Sequence, residues 1–154
     1  MRAHSFWTLL LISIGSAAAQ AEEIASVNTN WKLFGSDKVV VEVYDDPKVQ
    51  GVACYVSRAK TGGLSGAVGV AEDVVESSIA CRQVGPIRFT QPLKNKEEVF
   101  SERLSILFKE LHVLRLVDAK RNTLVYFTYS DRIISGSPQN SVTAVPVGTT
   151  IPVK

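Results

Sequence analysis

Nothing in this sequence is concentrated enough to mark a polyanion binder or a membrane span. The 17 Lys and Arg residues are nearly matched by 15 Asp and Glu, and acids interleave the bases along the chain. Nucleic-acid binding needs a basic field on one face, so a net charge of +2 argues against it. Proline and glycine are also sparse, at 6 and 10 residues, which excludes collagen-like and Pro/Gly-rich disordered chains. Cysteine is limited to Cys54 and Cys81, and histidine to His4 and His112. Two cysteines with His112 fall short of the four ligands a structural zinc needs, so neither metal nor cofactor is expected. The cysteine spacing of 27 is no Cys-x-x-Cys redox motif.

What is present begins with an address. Arg2 supplies a basic start, Phe6 to Ile14 is apolar, and Gly15 to Ala21 is small and polar, ending Ala19-Gln20-Ala21. That is the order of a secretory signal peptide, with cleavage expected between Ala21 and Glu22. The apolar run is far shorter than the ~20 residues a helix needs to cross a bilayer. The expected organisation is a leader, 1–21, and a single periplasmic domain, 22–154, with no membrane span after cleavage. In an oxidising compartment two cysteines read as one disulfide, Cys54–Cys81. A thiol-disulfide activity would require that bond to be exposed and labile.

Residues 27–33, 39–44 and 52–57 alternate or are β-branched, with turn signals such as Asp45-Asp46-Pro47 between them. From Leu64 the period changes: Leu64, Val68, Ala71, Val75 and Ile79 step by a helical turn, predicting an amphipathic helix over about 66–79. Cys81 follows it, so the disulfide would pin the helix end to the third strand. Residues 81–84 and 86–89 read as extended, 94–98 as a charged loop, and 99–111 fits helix and strand equally. The clearest hairpin runs 111–117 and 123–129. Asp118 is suited to start its turn and Asn122 to adopt the left-handed conformation that closes it. A last strand covers 142–147, where Pro146 marks a sheet edge. The fold expected is mainly β: one domain, an antiparallel sheet, sandwich or partly open barrel, with one short disulfide-pinned helix.

Catalytic signatures are weak. There is no Gly-x-Ser-x-Gly elbow, and His112, between Leu111 and Val113, reads as a strand residue on the solvent face. Asp45 and Asp46 point to opposite faces, and Pro47 favours a turn role. No catalytic residue is assigned. A small hydrolase using carboxylates such as Asp46, Glu72 or Asp73 is the enzymatic alternative, and needs two of them within roughly 5–10 Å. The glycines after Lys60 lack the order of a phosphate loop, but Arg58, Lys60, Thr61, Gly62 and Gly63 form a candidate anion or ligand surface. The hairpin tip, Asp118, Lys120, Arg121 and Asn122, is a second candidate surface. Of the aromatics Tyr44, Tyr55, Tyr126, Phe127 and Tyr129, any exposed on one sheet face would suit a peptide or glycan.

Three blocks are familiar together: Cys54-Tyr55-Val56-Ser57-Arg58-Ala59-Lys60-Thr61-Gly62-Gly63; Ala71-Glu72-Asp73 leading to Ser78-Ile79-Ala80-Cys81-Arg82-Gln83-Val84-Gly85-Pro86-Ile87; and Asp118-Ala119-Lys120-Arg121-Asn122 with Tyr129-Ser130-Asp131 and Gly136-Ser137-Pro138. They resemble the bacterial CreA family over residues 22–147. The resemblance implies a small exported protein, a cysteine pair at these positions, and a genetic link to catabolite regulation through the family's name. It carries over no catalytic residues, and the tail 148–154 lies beyond it. The expected function is non-enzymatic binding or interaction in the envelope, with a protein or small-molecule partner.

Overall fold

The computed structural model describes residues 21–32, 35–60, 77–103, 110–131 and 139–154. These form strands β1 (Glu22–Lys32), β2 (Gly35–Asp45), β3 (Val49–Lys60), β4 (Ser77–Phe89), β5 (Lys96–Arg103), β6 (Glu110–Asp118), β7 (Thr123–Ser130) and β8 (Asn140–Pro146). Each sheet is an antiparallel meander of neighbours, β1-β2-β3-β4 and β5-β6-β7-β8.

Alternation builds the core between the sheets. In β6, Leu111, Val113 and Arg115 are buried; in β7, Leu124, Tyr126, Thr128 and Ser130. Across from them lie Val52, Cys54 and Val56 of β3 with Ile79 and Cys81 of β4, and the two sheets share one apolar cluster. Tyr44 of β2 stacks on Phe100 of β5 at 4.5 Å between ring centroids, joining the sheets. A bulge after Glu98 breaks the alternation in β5, so the consecutive residues Val99 and Phe100 both face inward.

The sheets also meet at an edge. The backbone N–H groups of Ile79 and Cys81 in β4 donate to Ser141 Oγ and Thr143 Oγ1 of β8, each at 3.3 Å. Side-chain hydroxyls there take the place of a pairing strand, which covers an edge that would otherwise template association. β8 is an edge strand of its sheet, and Pro146 occupies its end, as expected.

Two sequence expectations are corrected. No helix occurs among the described residues. Ser77–Ile79, the end of the expected helix 66–79, belong to β4, and the rest of that span lies outside the described residues. Ile79 satisfies both periods, since it alternates with buried Cys81 as well as continuing the helical stripe. Cys81 therefore lies in mid-strand, directly opposite Cys54 in the β3–β4 ladder and bonded to it, so the disulfide ties strand to strand. Likewise 94–98 is not all loop: β5 starts at Lys96, because Glu97 finds inward cationic partners.

A second bulge lies between Gln50 and Val52, where Gly51 adopts φ +81°. A Cβ there would sit 2.5 Å from the Pro86 carbonyl oxygen, which is backbone and has little room to move. Gly51→Ala is expected to lower stability by about 1–3 kcal/mol, read from the urea midpoint.

Candidate functional site

The buried charges are internal ties. Arg115 is fully buried in β6; its Nη1 donates to both Asp46 oxygens at 2.6 Å, and Nη2 donates to Glu97 at 2.5 Å. Tyr126 Oη donates to Asp46 Oδ2 at 3.0 Å, and the Lys48 backbone N–H donates to Asp46 Oδ1 at 2.8 Å. Lys48 Nζ closes the group on Glu97. Asp46 thus has the turn role its Pro47 neighbour suggests, and it also anchors the β2–β3 turn to the opposite sheet. Burial and the Asp46 carboxylate raise the phenols of Tyr126 and Tyr44 above their ordinary range, so both stay protonated. An aspartate already held by arginine and tyrosine is poorly placed for hydrolysis. Glu72 and Asp73 lie outside the described residues.

Arg58 belongs to a second tie. It is buried in β3, donating to Glu42 at 2.9 Å and to Glu102 of β5 at 2.5 Å, while Lys60 reaches Glu42 at 2.6 Å. The positive charge near this segment is therefore already matched by carboxylates. Thr61, Gly62 and Gly63 lie outside the described residues. Burial pushes the Glu42 carboxyl up, but Lys60 and Arg58 outweigh it and hold it below its ordinary value of 4.5. A lowered folded-state value contributes stability above the unfolded value and loses it as pH falls through the folded one. The urea midpoint is expected to fall as the medium is acidified below about pH 4.5, and Glu42→Gln should flatten that fall.

The outer face of the second sheet differs in character. Residues alternating with the core positions place Leu114, Phe127 and Val142 in one cross-strand row and Leu116, Val125 and Ala144 in the next. Val142 is 63% exposed, and the row partners in β6 and β7 are half-buried. Beyond them the rings of Phe127, Tyr129 and His112 pile up, at 5.8 Å and 4.9 Å between centroids. Tyr126 and Tyr44 are core, so the aromatic face that alternation allows consists of Phe127 and Tyr129, with His112 added. His112 is on the solvent-facing side of its strand, as expected, but it is tightly held. Its Nδ1 lies 2.8 Å from Glu98 Oε2 and its Nε2 lies 3.0 Å from Asp131 Oδ2. Burial lowers the imidazole pKa, yet hydrogen bonds to Asp131 and Glu98 prevail and raise it. Glu110, two residues before His112, shares its face. Glu110, His112 and Asp131 each bring a ligand atom within 4.8 Å of the others.

The family model for the CreA protein matches residues 24–150, spanning β1 through β8. The chain belongs to the CreA family. Protein CreA of Escherichia coli strain K12 is 52% identical over 149 residues, covering 94% of each chain. The CreA proteins of Escherichia coli O157:H7 and of Escherichia coli O6:H1 strain CFT073 match to the same extent. No solved structure matches.

In this CreA-family chain the hairpin tip is built as its residues suggest. Asp118 Oδ1 accepts from the Arg121 N–H at 3.1 Å, its Oδ2 pairs with the exposed Arg121 guanidinium, and Asn122 has φ 48°. Lys120 is exposed. The Asn122 side chain is engaged elsewhere. Its Nδ2 donates to the carbonyls of Val147 and Thr149 at 2.6 and 2.8 Å, and its Oδ1 accepts from the Ile151 N–H. The tail is therefore structural: Leu93 bonds Pro152 and Lys154 through its backbone, and Leu93 and Ile151 are both core. At the other end, Ala21 packs partly against the core and Glu22 opens β1; residues 1–20 lie outside the described residues.

Sequence reasoning missed the gathering of Glu98, Glu110 and Asp131 around His112. The signal was the hairpin itself. Pairing Asp118 with Thr123 sets His112 opposite Tyr129 and brings Asp131 beside the start of β6. Glu110-x-His112 is then a same-face pair.

Proposed function

We propose that this chain is an exported periplasmic protein that acts by binding rather than by catalysis, through the outer face of its second sheet. The observation that supports this is the pairing of apolar rows, Leu114–Phe127–Val142 and Leu116–Val125–Ala144, with an aromatic pile and an acidic rim. An apolar centre inside a polar rim has the composition of a protein interface. The rim residues Glu98, Glu110 and Asp131 favour a partner that flanks its apolar contacts with Lys or Arg. The leader-like start, residues 1–21, and the disulfide between two fully buried cysteines support export. A regulatory role in the envelope, in keeping with the catabolite link in the family's name, would act through such a contact.

A photoreactive residue at Val142 or Leu116 of the exported protein, with one at Arg88 as control, tests the face by in-cell crosslinking and mass spectrometry. A reproducible protein adduct from the first two positions and none from Arg88 is expected. Equal or absent adducts at all three would refute the reading. N-terminal sequencing of the periplasmic protein should begin at Glu22.

A further inference from the structure

We infer that Glu110, His112 and Asp131 form a zinc-type divalent-cation site at the rim of the second sheet, with Glu98 as the residue that orients the imidazole. The imidazole distinguishes this group from a patch of surface acids, because it prefers first-row transition ions and zinc over magnesium or calcium. Its two nitrogens are differently placed. Nδ1 faces Glu98 at 2.8 Å, which fixes the Nδ1–H tautomer as metal-binding histidines require. Nε2, 3.0 Å from Asp131 Oδ2, donates to that carboxylate while the site is empty and offers its lone pair to an ion once that proton is released.

That spacing suits a shared ion. With bonds of about 2.0–2.2 Å to nitrogen and oxygen, two ligands on a tetrahedral zinc lie about 3.3 Å apart. Glu110 shares the His112 face of β6, and its carboxylate lies within 4.8 Å of both other ligand atoms. Antiparallel pairing holds the set together: Asp131 follows β7, and its N–H donates to the Glu110 carbonyl at 3.0 Å. Two carboxylates and one neutral imidazole bring the divalent ion to zero net charge and leave a fourth position for water or a partner's donor. On binding, the ion takes the place of a proton at Nε2, which passes to solvent.

The test uses the purified chain without a polyhistidine tag, stripped with a chelator and titrated with zinc alone. Calorimetry and elemental analysis should give one zinc per chain, and cobalt in its place should show the strong visible absorption of a four-coordinate ion. Glu98→Gln should weaken binding about 10–100-fold without lowering the melting temperature. His112→Ala, and separately Asp131→Asn with Glu110→Gln, should abolish the cobalt band. Asp131 is half-exposed, so the second variant keeps the fold and decides the matter if the first does not. No zinc uptake, or uptake unchanged in both variants, would overturn the site. Crosslinking from Val142 is unaffected by either result, so this inference and the binding reading fail separately.

Discussion

Arg115→Met is expected to destabilise the protein by about 3–5 kcal/mol, the range for removing one partner of a buried ion pair. Methionine keeps an unbranched apolar stem but, shorter and uncharged, leaves Asp46 buried with only the Tyr126 hydroxyl and a backbone N–H to balance its charge. Glu97 simultaneously loses an inward partner and keeps Lys48. Buried ion pairs often do little better than apolar residues of similar volume. The particular effect of this pair is positional: a turn in one sheet is fixed against a strand in the other. Asp46→Asn combined with Arg115→Met should therefore lose less than the two single losses together, by about 0.5–3 kcal/mol. Urea denaturation of the three variants measures this. Additive losses, or an Arg115→Met loss below 1 kcal/mol on the order of a surface pair, would show that the pair is not closed to water.

Loss of the disulfide should be nearly as costly. Cys54 and Cys81 face each other across one ladder, but 27 positions separate them in sequence. The bond therefore acts mainly on the unfolded chain, where closing such a loop removes entropy worth about 3–4 kcal/mol in the chain-entropy model. The Cys54→Ala/Cys81→Ala double variant should show a urea midpoint lowered accordingly, and a reductant should lower the wild type to the same level. Both sulfurs are in the core, so reduction of the folded protein should proceed no faster than its unfolding. Rapid reduction under native conditions would instead favour an exposed, exchangeable bond.

Much of this fold is legible in the residues. Alternation locates the strands around the core, Asp118 and Asn122 mark the hairpin turn, and Pro146 marks the edge. What escapes is pairing across the sheets. Arg115 stands at an inward position of the Leu111–Val113–Arg115 alternation, yet a charged side chain reads as a solvent residue until Asp46 is seen to arrive 69 positions earlier in sequence. Glu97 fails in the same way, which is why its strand resembles a loop. Ile79 misleads because one apolar residue serves two periods at once. The His112 group is intermediate: its same-face spacing is visible, but Glu98 joins only through the β5–β6 register, which no local pattern encodes.

The tail has a consequence for the order in which the molecule is made. Leu93 pairs through its backbone with residues 152–154, and the Asn122 side chain finds its partners in residues 147–151. During synthesis both anchors emerge well before the segment they hold. Residues 147–154 thus fasten both anchors from far along the chain, and this side of the core is sealed by its last described segment.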